Sequence, residues 1–222
     1  MIIGNGILAN ALIPYDRDDI IFFASGVSNS LETRNSEFER EITLLQTTLE
    51  KNVNKKLVYF STCSIYDSSK TQSPYVLHKL NIESKIVQDF ENFAIFRIGN
   101  AIGKGGNPNT LINFLKNSIE SRTKIWVHKN AGRSIIGVND IALFINLHLN
   151  SINKKIINLS YPHQFAPIDI VFSLEKYLGR KACYEIINEG DFYDIEFEKL
   201  IYDYFENISA TKYLDKTIAL YI

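Results

Sequence analysis

The sequence predicts an α/β fold in which a parallel sheet carries helices on both faces. Three observations predict it. Strand-length runs such as Ile20-Ile-Phe-Phe, Lys56-Leu-Val-Tyr-Phe-Ser and Phe93-Ala-Ile-Phe-Arg-Ile are apolar at odd and even positions alike, as strands buried on both faces must be. Helix-length segments with periodic apolar residues separate these runs, which is the order that builds parallel pairs through crossover connections. The chain opens on Met1-Ile-Ile-Gly-Asn-Gly-Ile-Leu-Ala-Asn-Ala-Leu, a very short strand, a tight glycine turn and a short helix.

Taken in order, the strand from Ile20 ends in the small residues Ala24, Ser25 and Gly26, and an amphipathic helix is expected over roughly residues 36–52. A strand from Lys56 runs into Phe60-Ser-Thr-Cys-Ser-Ile-Tyr66. The next helix starts at Pro74, a first-turn position after Ser73, and continues through Val76, Leu77, Leu80, Ile82, Ile86 and Val87 without a breaker. The strand from Phe93 leads to the loop Gly103-Lys-Gly-Gly-Asn-Pro. A helix near 110–120, a strand pair around Trp126 and Ile135, a helix from Asp140, a strand from Ile156 and a helix over 167–178 follow. The tail from Ala182 mixes a short strand with acidic and aromatic helices, and the stretch from Glu189 to Glu198 reads as an exposed helix start. Trp126 reads as core, with lining of a substrate cleft as the alternative.

Composition excludes several classes of function. The formal net charge is −1 and no basic stripe marks a nucleic-acid binder. No apolar run reaches membrane-spanning length, and the N-terminus lacks the pattern of a signal peptide. With two cysteines only, Cys63 and Cys183, a reducing, cytoplasmic setting is expected. His128, His148 and His163 lie far apart without ligand-spaced partners, so no metal site is expected.

The chemistry-bearing stretch is Tyr75-Val-Leu-His-Lys79. Residues four apart share a helix face, so the Lys79 ammonium stands where it can favour a Tyr75 phenolate and bring the phenol towards working pH. Tyr66 with Lys70 and Tyr177 with Lys181 repeat the spacing, but the first pair crosses turn-forming residues and the second is broken by Gly179. His78 is expected to solvate or cap the helix face. Gly4 and Gly6 let backbone amides approach a pyrophosphate at a helix start, although a strand-to-helix turn that merely needs positive φ explains them equally well.

With these pieces in sequence, the chain resembles the extended short-chain dehydrogenase/reductase family, the branch of nucleotide-sugar epimerases, dehydratases and ketoreductases. The resemblance spans nearly the whole chain. It rests on the ordered glycine turn, the Ala24-Ser-Gly26 strand end, the Ser-Thr-x-x-x-Tyr run ending at Tyr66, Tyr75-x-x-x-Lys79, Arg97-Ile-Gly-Asn100 with Gly103, and Arg133-Ser-Ile-Ile-Gly-Val-Asn-Asp140. It implies a Rossmann-type domain over 1–160, with 104–133 contributing to the substrate region and 161–222 forming a small substrate-binding region.

It also implies roles. Thr62, Tyr75 and Lys79 become the catalytic set, with Lys79 also holding the nicotinamide ribose. Gly4, Gly6, Ala9, Ala24, Ser25 and Gly26 fall on the cofactor, NAD or NADP, while Asn100 and Arg133 fall on a nucleotide-sugar substrate. A homodimer through the helices near 36–52 and 74–91 is implied as well.

Three departures qualify the resemblance. Cys63 and Ser64 stand where the dehydratases carry an Asp-Glu pair, which makes dehydration improbable. Ser64 stands where GDP-fucose synthase-type epimerases carry cysteine, so Cys63 reads as a buried small residue. Finally, the first helix passes through Pro14-Tyr-Asp-Arg-Asp straight into the strand at Ile20, so the usual second and third strands are missing and the first strand should form the sheet edge. The NAD-versus-NADP residue is lost with them, and Asp16 and Arg17 are the local substitutes. The expected activity is reduction or epimerisation of a nucleotide sugar, with a 4-ketoreductase slightly favoured over a 4-epimerase. The alternative is a non-catalytic nucleotide-binding or scaffold protein.

Overall fold

The computed structural model describes residues 1–222. Five parallel strands form the main sheet in the order β1 (Ile2–Ile3), β2 (Ile20–Phe23), β3 (Lys56–Thr62), β4 (Phe93–Ile98) and β8 (Lys155–Leu159). The strand β1 is the edge, with no further strand beside Ile2 and Ile3, as the missing strands require.

The double-sided burial expected of the apolar runs is present residue by residue. Ile20, Phe22, Val58, Phe60, Ala94 and Phe96 face one side and join the larger core. Ile21, Phe23, Leu57, Tyr59, Phe93 and Ile95 face the other, where Leu45 and Leu49 of α2 (Asn35–Glu50) and Ile82 and Ile86 of α3 (Pro74–Asp89) cover them. Leu12 of α1 (Ile7–Leu12) and Ile141, Phe144 and Ile145 of α5 (Val138–His148) lie on the opposite face.

The start of α3 has the expected cap, with Ser73 Oγ accepting from the Val76 amide at 3.2 Å and Pro74 in the first turn. Val76, Ile82 and Ile86 are buried, while Leu77, Leu80 and Val87 point outwards.

Beyond the sheet, β5 (Asn100–Ile102) pairs parallel with β7 (Arg133–Gly137), which pairs antiparallel with β9 (Gln164–Phe165). The remaining elements are α4 (Leu111–Glu120), β6 (Ile125–His128), α6 (Pro167–Leu178), β10 (Tyr184–Ile187), α7 (Lys199–Phe205) and α8 (Ala210–Tyr221). Ile201, Phe205, Tyr213, Leu214 and Ile218 belong to the same core as the sheet.

Three expectations are corrected. The strands at Trp126 and Ile135 do not pair with each other, because β6 pairs parallel with β10 instead. The chain beyond β10 keeps that direction, its carbonyls at Ile187, Glu189 and Asp191 accepting from the amides of Lys129, Asn130 and Gly132, so the hairpin position is taken. The same bonds hold the acidic stretch extended, and helix begins only at Lys199. Trp126 is 54% exposed, since it alternates with buried Ile125 and Val127 on a two-stranded ribbon and carries the Lys124 ammonium 4.5 Å above its ring.

Candidate active site

The C-terminal end of β3 and the first turns of α3 bring Thr62, Tyr75 and Lys79 together, all three buried. Thr62 ends the strand, and its Oγ1 accepts from the Ser64 amide at 3.0 Å, which fixes the hydroxyl beside the helix start. Burial pushes the Tyr75 phenol up; the Lys79 ammonium and the Thr62 hydroxyl pull against it without winning. The expected depression of this phenol is therefore corrected: burial outweighs Lys79 and leaves the phenol above its ordinary value.

A residue that carried no weight in the motif adds to the effect of burial. Glu41 of α2 is fully buried, and its Oε1 accepts from Lys79 Nζ at 2.9 Å and from the Tyr59 hydroxyl at 2.7 Å. Its Oε2 accepts from the Val27 amide at 2.7 Å and lies 3.0 Å from His78 Nε2. Burial opposes the charge, but Lys79, His78 and the Val27 amide together hold the Glu41 carboxyl well below the usual carboxylate range. Burial, reinforced by Glu41, raises Tyr59 and keeps it a donor.

Lys79 Nζ also reaches Tyr59 Oη at 3.1 Å and the Phe60 carbonyl at 3.4 Å, so its donors are all directed at the protein. His78 is buried and stacked on Phe38, ring centroids 4.6 Å apart, not solvated as expected. One signal in the sequence pointed here: Glu41 falls on the same helical stripe as Phe38, Leu45 and Leu49, where a carboxylate needs a buried cation.

The glycine turn lies at the C-terminal ends of β1 and β2. Gly4 has φ +129°, and a Cβ there would collide with the Ala24 carbonyl, so only glycine fits the close crossing. Above Gly6 a Cβ would meet nothing within 4 Å, and no side chain caps α1. Ala9 packs this short helix down. Ala24, Ser25 and Gly26 run from β2 over the site; a Cβ on Gly26 would stand 2.6 Å from Lys79 Nζ and 2.8 Å from Glu41 Oε1. Asp16 and Arg17 are otherwise engaged, Arg17 bonding Asp19 at 2.8 Å and Asn150 at 3.0 Å.

On the other side, Asn100 and Arg133 begin the paired strands β5 and β7, Asn100 in register with Ile135 and its Nδ2 donating to the Ser134 carbonyl at 2.9 Å. Arg133 bonds only the neighbouring Gly132 carbonyl, at 2.9 Å, and forms no salt bridge. Lys70 also has no salt bridge; burial lowers it, Asp67 opposes, and Arg133 lowers it further by repulsion. Asp191 links the two segments, its side chain accepting from Ser68 at 2.9 Å and its carbonyl from the Gly132 amide at 3.2 Å. Tyr66 is tied elsewhere, donating to Asn158 at 3.0 Å and accepting from Arg97 at 3.1 Å. Cys63 is buried, its thiol pushed up to about 12 by burial and donating to the Arg97 carbonyl at 3.1 Å.

The sequence model of the NAD dependent epimerase/dehydratase family matches residues 16–160, well over half of the chain. The chain belongs to that family. Among curated proteins no sequence match is found.

Solved structures share the fold of this epimerase/dehydratase chain at low identity. A dTDP-glucose 4,6-dehydratase from Bacillus anthracis in complex with NAD superposes at a TM-score of 0.69 and 18% identity, covering 96% of this chain and 76% of its own. A UDP-glucuronic acid 4-epimerase from Bacillus cereus, also with NAD, gives 0.68 and 19%, covering 91% and 72%. RMD from Pseudomonas aeruginosa, complexed with NADPH, gives 0.64 and 14%, covering 90% and 80%. The glycine turn precedes the stretch matched by the epimerase/dehydratase model, yet it has the close crossing and open upper side that a dinucleotide diphosphate needs, so the residues present fit the family's cofactor.

Proposed function

We propose that the protein is an NAD(P)-dependent enzyme acting on a nucleotide sugar, with reduction of a sugar carbonyl favoured over 4-epimerisation. The observation that carries this reading is the clustering of Thr62, Tyr75 and Lys79 about the end of β3 and the start of α3, with Gly26 of the β2 end against Lys79. Gly4, Gly6 and Ala9 would hold the cofactor diphosphate, and Ala24, Ser25 and Gly26 would line its path towards Tyr75. The dinucleotide, when bound, supplies or receives a hydride.

The chain's own residues handle the proton and the charge. Tyr75 gives its hydroxyl proton to the substrate oxygen, and Thr62 donates a hydrogen bond to that oxygen as charge develops on it. Arg133 and Lys70 bind the substrate diphosphate, the guanidinium by a bidentate contact and the ammonium as a point charge. Asn100 positions the sugar, and residues 161–222, which include the Gln164 side chain on the Tyr193 carbonyl, complete the substrate region.

A homodimer through α2 and α3 accords with the outward apolar residues Leu77, Leu80 and Val87. Light scattering at micromolar concentration tests it, a monomer mass counting against it.

The deciding experiment identifies any cofactor released from the purified protein and then titrates the protein with NADH and NADPH. Exchangeable reduced dinucleotide supports the reductase. Tight stoichiometric NAD favours the epimerase, and no binding of either favours a non-catalytic scaffold.

A further inference from the structure

A dinucleotide lies across the C-terminal ends of the strands, and the residue that grips its adenosine half normally comes from a strand beside the first. Here β1 is the edge and no such strand exists. Asp16 and Arg17, the local substitutes in the sequence, stand at the opposite end of the sheet. Asp16 is 2.8 Å from the Met1 ammonium, ahead of β1, and Arg17 precedes β2. Arg17 also has both edges of its guanidinium engaged, Nε and Nη2 on Asp19 at 3.0 and 2.8 Å and Nη1 on Asn150 at 3.0 Å.

The C-terminal end has a different cation. Arg40 of α2 reaches the Ser25 carbonyl with Nη1 and Nη2, both at 3.4 Å, while its Nε donates to Glu37 at 3.2 Å. Ser25 belongs to the crossing under the glycine turn: a Cβ on Gly4 would stand 2.4 Å from the Ala24 carbonyl oxygen and 3.1 Å from the Ser25 amide nitrogen.

We propose that Arg40 is a cofactor-binding residue that takes a phosphate of the dinucleotide, supplying from α2 the grip that the missing strands no longer provide.

Chemistry and place agree on this. Glu37 holds only the Nε edge, so the guanidinium is fixed in direction while its Nη edge shares one long contact with a neutral carbonyl. A phosphate accepts such an edge through two parallel, charge-assisted bonds, which are shorter and stronger. The side chain is 46% exposed and so open to a ligand arriving from solvent. Two phosphates of the cofactor share this chemistry, the diphosphate on the glycine turn and the 2′-phosphate that distinguishes NADPH. The proposal rests on the cofactor reading given above.

The test measures binding and needs no sugar substrate. NADH and NADPH are titrated calorimetrically into the full chain, into Arg40→Gln and into Arg40→Lys. Arg40→Gln is expected to weaken at least one dinucleotide by about tenfold or more, the scale of a lost hydrogen bond to a charged group. An equal loss for both supports contact with the diphosphate, and a loss confined to NADPH supports contact with the 2′-phosphate. Arg40→Lys keeps the charge without the fork and should recover only part of the affinity.

Because Arg40 forms one exposed ion pair, the cofactor-free Tm of Arg40→Gln should stay close to the wild type's, so that weaker binding is not a folding defect. If Arg40→Gln nevertheless fails to fold, Arg40→Lys carries the test and is expected to bind several-fold more weakly. Wild-type affinity for both dinucleotides in the folded variant overturns the proposal and leaves the cofactor reading standing. A wild-type chain that binds neither dinucleotide overturns both.

Discussion

Replacing Lys79 by methionine tests whether the Glu41–Lys79 contact is a true buried ion pair or a chance approach. Both side chains are at most 3% exposed and lie 2.9 Å apart. Lys79→Met keeps most of the aliphatic volume but strands the carboxylate with only His78, Tyr59 and the Val27 amide for support. Breaking such a pair from one side costs about 3–5 kcal/mol. For a chain of this size each kcal/mol moves Tm by about 2–4 °C, so a fall on the order of 10 °C is expected.

Glu41→Leu alone should cost about the same, since it strands the ammonium. The double variant Glu41→Leu/Lys79→Met should recover most of the loss, giving a favourable coupling of about 3 kcal/mol, the upper end for residues in contact. Urea denaturation of the four proteins measures this cycle. Additive single effects would refute the reasoning, because additivity means the two charges do not feel each other.

Three further outcomes are expected. Once a substrate is in hand, Tyr75→Phe should lower turnover by roughly 100-fold or more while leaving cofactor affinity nearly unchanged, whereas Tyr66→Phe, which removes only the Asn158 and Arg97 bonds, should keep turnover within a small factor. Arg133→Ala and Lys70→Ala should each raise KM for a nucleotide diphosphate sugar with less change in kcat, and a sugar lacking the diphosphate should not distinguish them from wild type. Stability should fall at both ends of the pH scale. Glu41 is held below its unfolded value, so its contribution is present above about pH 4.3 and lost as pH falls further. Tyr59 and Tyr75 are raised, so theirs is present below about pH 10 and lost as pH rises; Tyr59→Phe should flatten the alkaline limb of the urea midpoint curve.

The sheet was legible because its strands are apolar on both faces, and because the short link from Leu12 to Ile20 leaves no room for the absent strands. The start of α3 was legible because Ser73 and Pro74 act locally. The pairing of β6 was not, since its partner lies some sixty residues on and is selected by the extended tail, not by any turn signal. Separation along the chain also hid the ion pair between Lys79 and Glu41. A tyrosine–lysine spacing states what shares a helix face, but the carboxylate that engages the ammonium comes from another helix. Only the burial pattern of α2 hinted at it, through one glutamate on an apolar stripe.

Leu12 near the start and Ile218 near the end sit in one apolar cluster, together with Phe96 and Phe144 from the middle. Such closure joins residues far apart in sequence, and folds of that kind assemble slowly because loop-closure entropy is lost before the long-range contacts form. The core cannot be completed until α8 has left the ribosome, so α6, β5 and β7, against which it packs, wait during synthesis without that cover. A version ending before residue 199 should accumulate as an aggregation-prone intermediate even though every strand of the main sheet is present.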